Sequence, residues 1–156
     1  MVSVGMSKLG RTHLIFVDSC LKINGCYYRE VLLSQQLLPA IWQVSGDFFV
    51  FQQDSALAHR ACETIKLLQW ETPAFISPDL WPPNSPDLNP VDYKIWGVMQ
   101  DWVYQKNVKD VKELRDRLVE IWAGLQQNMI DAAIDQWRRC LHASIWARGG
   151  HFEYLL

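Results

Sequence analysis

Short runs of β-branched and apolar residues occupy positions 2–7 and 12–18, on either side of Lys8-Leu9-Gly10-Arg11. That spacing predicts a hairpin, with Gly10 supplying the turn. Asn24-Gly25 marks a second turn. Beyond it the period changes. Tyr28, Val31, Leu32, Gln35, Leu38 and Trp42 recur at three- and four-residue steps and predict a helix over 27–44. Pro39 falls inside this helix and should kink or end it. Residues 48–52 read as a third strand, apolar enough for the middle of a sheet. Asp54 or Ser55 then caps a helix over 56–69. Residues 72–76 make a short fourth strand.

Residues 77–90 break the periodic pattern. Pro78, Pro82, Pro83, Pro86 and Pro90 lie there among Asn84, Ser85, Asp87 and Asn89. This is the pattern of a stiff loop without regular structure, and long ordered loops in compact domains are usually functional. Asn89 as cap and Pro90 at the first helical position start a helix that runs to about Gln105. Val108, Val111, Leu114, Leu118, Ile121, Trp122 and Leu125 mark another. Ile130, Ala133, Ile134, Trp137, Leu141 and Ile145 mark the last, stopped by Gly149-Gly150. The order of strands and helices implies an α/β fold, a sheet covered by helices.

The 156 residues, 49% apolar and 21% charged, fit one domain of ordinary globular balance. The eight tryptophans fall mostly at apolar-periodic positions and read as core and interface residues. Cys20, Cys26, Cys62 and Cys140 show no zinc-type spacing and no disulfide framework, so the chain reads as intracellular. No signal peptide is evident at the N-terminus, and no apolar run is long enough to span a bilayer. The net charge of −2 is unevenly spread. Residues 54–93 hold six acidic and two basic groups. Such an excess suits a bound cation and opposes polyanion binding without one. A stand-alone DNA-binding domain would be basic.

Within that acidic segment, FFVFQQD ends a strand on Asp54, and NPVD places Asp92 in the first turn of a helix. Two carboxylates on rigid elements can converge on divalent metal ions, an arrangement that serves phosphodiester chemistry on nucleic acid. Each aspartate also has a plain structural explanation. Asp54 could be only a helix cap, worth about 1 kcal/mol. Asp92 could simply favour the positive end of a helix dipole, worth about 0.3–1 kcal/mol. His59 lies about one turn after Asp54 and Gln53 flanks it, so both are candidate groove or supporting residues. Asn84, Asp87 and Asn89 could line the same groove, although turn formation explains them equally well.

At QQDSALAH and WPPNSPDLNPVDYKIWG the chain resembles the catalytic domain of mariner-type (Tc/mariner superfamily) cut-and-paste DNA transposases. The second motif is the more specific, and weaker similarity extends over nearly the whole chain. The resemblance implies an RNase H-like mixed sheet flanked by helices. It also implies a carboxylate triad binding two Mg2+ or Mn2+ ions. Asp54 takes the part of the second family carboxylate and Asp92 the third, in the form that uses aspartate. The first lies in the family upstream of the segment matching residues 2–7, as does a helix-turn-helix region. We therefore expect residues 1–156 to be an N-terminally truncated catalytic domain lacking its first strand, with an unpaired apolar edge. Asp18 matches a position outside the triad.

The implied activity is metal-dependent DNA strand cleavage and strand transfer, weak or absent in this chain alone. The implied partners are transposon-end and target DNA, held through the missing N-terminal regions, and a second copy in a homodimer. The implied location is the nucleus. Two other readings stand beside this one. The chain could be a catalytically dead, transposon-derived module that binds nucleic acid or protein, or a metal nuclease acting on RNA or hybrids. SPDLNP argues against the last.

Overall fold

The computed structural model describes residues 1–18, 20–82 and 85–147. It divides into two compact units, Met1–Ser85 and Pro86–Leu156.

The first unit opens with the expected hairpin, split into two short ladders. β1 (Val2–Ser3) pairs antiparallel with β4 (Ile15–Phe16), and β2 (Met6–Ser7) with β3 (Gly10–Arg11). Between them Thr12 turns its hydroxyl inward. Its Oγ1 accepts the Gly5 N–H at 2.9 Å while its own N–H donates to the Gly5 carbonyl. Gly10 has φ +149, where a side chain would be strained, and a Cβ there would also press on Val44 Cγ1 at 3.0 Å.

Asn24-Gly25 is a helix start rather than a free-standing turn. The Asn24 side chain caps α1 (Gly25–Tyr27) by accepting the Tyr27 N–H at 2.9 Å. The helix continues through a widened, i→i+5 bonded stretch, Tyr28–Leu37, into α2 (Leu38–Ser45). The hydrogen-bond pattern changes just before Pro39, which the helix tolerates in the first turn of α2. Gly46, at φ +54, ends it. One face of this helix, with Ile15, Val17, Phe51 and Leu68, forms the core of the unit, in which Leu33 and Leu68 are completely buried. Each such side chain contributes roughly 1.5–3 kcal/mol relative to exposure.

β5 (Val50–Phe51) and β6 (Ala74–Phe75) run parallel, in the register Val50↔Ala74 and Phe51↔Phe75. The expectation of a strand buried on both faces fails here. Phe51 is buried, but Phe48 is 89% and Val50 62% exposed. Alternation along the strand turns Val50 away from the side that buries Phe51, and Phe48 lies before the strand begins. The helix expected over 56–69 is also corrected. α3 spans Cys62–Glu71. Before it, the His59 and Arg60 N–H groups both donate to the Ala56 carbonyl in one isolated turn, and Ala61 is extended at ψ 135. Asp54 therefore caps a turn, and the helix starts afresh after Ala61.

The proline-rich stretch is more regular than expected. Short 3-10 turns occupy Pro78–Leu80 and, at the start of the second unit, Pro86–Leu88. Asn84 lies outside the described residues, as does the Gly149-Gly150 stop signal.

In the second unit Val91–Ile95 is again i→i+5 bonded and leads into α4 (Trp96–Val103). α5 (Val111–Gly124) and α6 (Gln127–Trp146) follow. Leu88, Ile95, Met99, Val103, Trp122, Leu125, Ile130 and Ala133 are buried. Asp110 caps α5 by accepting the Glu113 N–H at 2.7 Å, while Glu113 Oε2 accepts the N–H of Lys109, the residue before the cap, at 2.9 Å. Arg117 closes the α4–α5 connection. Its guanidinium donates to the carbonyls of Val103, Lys106 and Asn107 and to Glu113 Oε1. No helix among the described residues is long and apolar enough to cross a membrane.

Candidate active site

Asp54 lies just beyond β5, where the backbone leaves the strand and turns. The turn exists because the carboxylate competes with the helix for backbone donors: Oδ1 accepts the Ala56 N–H at 3.0 Å. The same oxygen meets His59 Nδ1 at 2.5 Å. These bonds, the His59 contact first, hold the Asp54 carboxyl below the ordinary aspartate value despite partial burial. Asp54 is thus ionised at neutral pH, and Nδ1 of His59 carries the shared proton. Both bonds fall on Oδ1, and Oδ2 accepts none among the described residues.

Gln53 and Tyr28 complete this corner. The Tyr28 hydroxyl donates to Gln53 Oε1 at 2.5 Å, and Gln53 Nε2 donates to the His59 carbonyl at 3.2 Å. The Tyr28 and His59 rings pack with centroids 4.2 Å apart, tilted by 34°. Burial, and then the charge of Asp54, push the Tyr28 hydroxyl well above the ordinary tyrosine value, so it remains a donor. Tyr28 had no signal in the sequence beyond its place on the apolar face of a helix. Ser55 Oγ and Gln52 Nε2, on either side of Gln53-Asp54, are buried polar atoms without a hydrogen-bond partner among the described residues. Such orphans mark where a bound group or water completes the bonding.

Asp92 belongs to the second unit. It is half-buried in the first turn of the helix that begins at Pro90. Asn89 builds that start: its carbonyl accepts the Asp92 N–H at 2.9 Å and the Tyr93 N–H at 3.1 Å, and its Oδ1 lies 3.4 Å from the Val91 nitrogen. The Tyr93 hydroxyl donates to the Ala133 carbonyl at 2.5 Å and ties the same turn to α6. Asn89 is therefore occupied as a helix cap. Asp87 is exposed on its 3-10 turn.

The structure brings Gln53, Asp54 and His59 into one hydrogen-bonded group. It sets Asp92 on a separate, rigid helix start. Among the described residues no cluster of three or more His, Cys, Asp or Glu side chains is arranged to hold a metal. The donor chemistry of Asp54 nonetheless suits a hard cation: an ionised carboxylate with one oxygen braced and the other without a hydrogen bond.

No family model matches the chain. It is 28% identical over 125 residues to the Tcb2 transposase of Caenorhabditis briggsae, across 80% of this chain and 44% of that protein. It is 26% identical over 156 residues to the Tc3 transposase of Caenorhabditis elegans, across 99% of this chain and 45% of that protein. The chain thus spans under half the length of these curated relatives. Among solved structures, the catalytic domain of Mos1 mariner transposase superposes with a TM-score of 0.81 at 18% identity, covering 97% of this chain and 75% of that one. The Mos1 paired end complex with Mn gives 0.83 at 18% identity, covering 97% and 44%. Mos1 structures with transposon-end DNA and as a strand transfer complex give 0.81 each.

The fold is therefore the RNase H-like fold of a transposase catalytic domain. In sequence the chain is similar to the Tc1, Tc3 and Tcb2 transposases, and in fold to the Mos1 catalytic domain.

Proposed function

We propose that this chain is a catalytic part of a DNA transposase. In this reading Asp54 and Asp92 hold divalent cations, Mg2+ or Mn2+, for DNA strand cleavage and strand transfer. The observation that carries the reading is the state of Asp54, ionised, braced on Oδ1 by His59 and Ala56, with Oδ2 left for a cation. Its support is the transposase identity of the relatives and the Mn and Mg forms of the Mos1 catalytic domain.

Each residue then has a defined task. Asp54 supplies a carboxylate oxygen at the end of β5, fixed in orientation by His59. Asp92 supplies a second from a helix start that Asn89 and Pro90 make rigid. Gln53 holds the His59 backbone. Bound cations would activate the attacking oxygen and neutralise the leaving one in an in-line displacement at phosphorus. Two carboxylates under-coordinate an ion pair, so the chain alone should cleave weakly or not at all. Transposon-end and target DNA are the partners, bound together with a second copy, and the nucleus is the site of action.

The test is Mn2+ binding to the chain together with nicking of supercoiled DNA. Binding that Asp54→Asn and Asp92→Asn each weaken at least tenfold supports the reading. Binding untouched by both substitutions ends it. Robust nicking that Asp54→Asn abolishes would show that two aspartates suffice and overturn the expected inactivity.

One observation favours a second reading, a non-catalytic binding module. Phe48, two residues before β5, and Val50 on it are large apolar side chains open to solvent. Capture of a defined partner, lost with Phe48→Ser and unchanged with Asp92→Ala, would support it.

A further inference from the structure

We infer that Tyr28 is a positioning residue of the Asp54 site, acting through Gln53 and His59 to keep Asp54 Oδ1 engaged and Oδ2 open to a cation. The inference rests on the proposed metal role of Asp54 and deepens it.

The geometry leaves Gln53 one orientation. Its amide lies between a backbone carbonyl and a hydroxyl. An amide oxygen facing the His59 carbonyl would set two acceptors against each other, so Nε2 must take that side, at 3.2 Å. Oε1 then faces Tyr28, and the hydroxyl must donate to it, at 2.5 Å. Tyr28 thus locks Gln53, and Gln53 locks the His59 backbone. The Tyr28 ring lies against the His59 imidazole at 4.2 Å and restricts its rotation. With its carbonyl and ring face held, His59 has one ring nitrogen directed to Asp54, Nδ1 at 2.5 Å. Tyr28 is 5% exposed and sits in the first helix among Leu32, Leu33 and the rest of the core. The brace is therefore anchored in the buried core of the unit. Supporting partners of a metal-binding group typically change affinity 10–100-fold when removed, and a residue one step further out should do less.

Tyr28→Phe keeps the ring and its volume and removes only the hydroxyl. Two readouts are measured on the full chain: Mn2+ affinity by electron paramagnetic resonance, and the ring-nitrogen signals of His59 by NMR without metal. The expected result is roughly 3- to 10-fold weaker Mn2+ binding. It should come with a shift of the His59 Nδ1 signal as its contact with Asp54 loosens. Thr72→Val is the matched control. It also removes one buried hydroxyl of the same unit, which donates to the Leu68 carbonyl at 2.5 Å, and should move neither readout. If either readout of Tyr28→Phe stays at the wild-type value, or Thr72→Val shifts both equally, the inference is overturned. If wild-type Mn2+ binding is insensitive to Asp54→Asn, the metal reading falls and the inference falls with it. A normal Asp54 dependence with an unchanged Tyr28→Phe overturns the inference alone.

Discussion

Asp54 takes its hydrogen bonds from His59 and the Ala56 N–H in a corner that Tyr28 closes from the first helix, whereas Asp92 stands on a helix start assembled from its own neighbours, Asn89 and Pro90. The first arrangement needs a folded core before it exists. The second is set mainly by consecutive residues, a cap and a proline that shape the backbone, with Tyr93 tying the turn to α6. A mutation remote in sequence should therefore disturb the Asp54 corner far more than the Asp92 turn.

The largest effect should come from Leu68→Ala. Leu68 is completely buried in the core shared with Tyr28, and the truncation should cost about 2–5 kcal/mol in urea unfolding. The His59 ring signals should move with it. Met99→Ala, equally buried in the second unit, should cost a similar amount and leave the His59 signals in place. If Met99→Ala shifts His59 as much as Leu68→Ala does, the contrast between the two regions is broken.

Arg117→Met comes next. Its guanidinium satisfies three backbone carbonyls around the α4–α5 connection, all within 14 residues of it. Losing these charged donors should lower stability by about 1.5–3 kcal/mol, read from the urea midpoint. Smaller again is the removal of caps. Asp110→Ala should cost about 1 kcal/mol by the same measurement, and Asn89→Ala less, since its side-chain contact is 3.4 Å against 2.7 Å for Asp110. A larger loss for Asn89→Ala would show that the Asp92 turn leans on more than its own cap.

The smallest effect is the acid titration of Asp54. Its carboxyl is held below the ordinary value, chiefly by His59, so the folded state binds its proton less readily than the unfolded chain. The resulting stability is fully present above the unfolded value, about pH 4, and is lost as pH falls through the still lower folded value. Asp54→Asn should therefore be less stable than wild type at pH 6, with the gap closing towards pH 3. Partial exposure keeps this difference modest. A gap that widens in acid would contradict the pairing with His59.

The sequence reading succeeded where the cues are local. The hairpin around Gly10 and the periodicity that marks the later helices both lie in short stretches of consecutive residues. It failed where distant groups compete. The helix expected from Ala56 is interrupted because Asp54 and His59 bond each other across the turn. The expected burial of residues 48–52 fails on one face because period-two alternation says which side chains share a side, and says nothing about what covers them. Tyr28 resembled any other apolar helix position until Gln53 and His59 were seen around it.

The bare pair of Phe48 and Val50 has a practical outcome. Two molecules meeting on it would shield each other from water, and a short strand with a free rim invites sideways pairing as well. Stocks of this protein should keep best when dilute or with a mild detergent, and should cloud first on warming at high concentration.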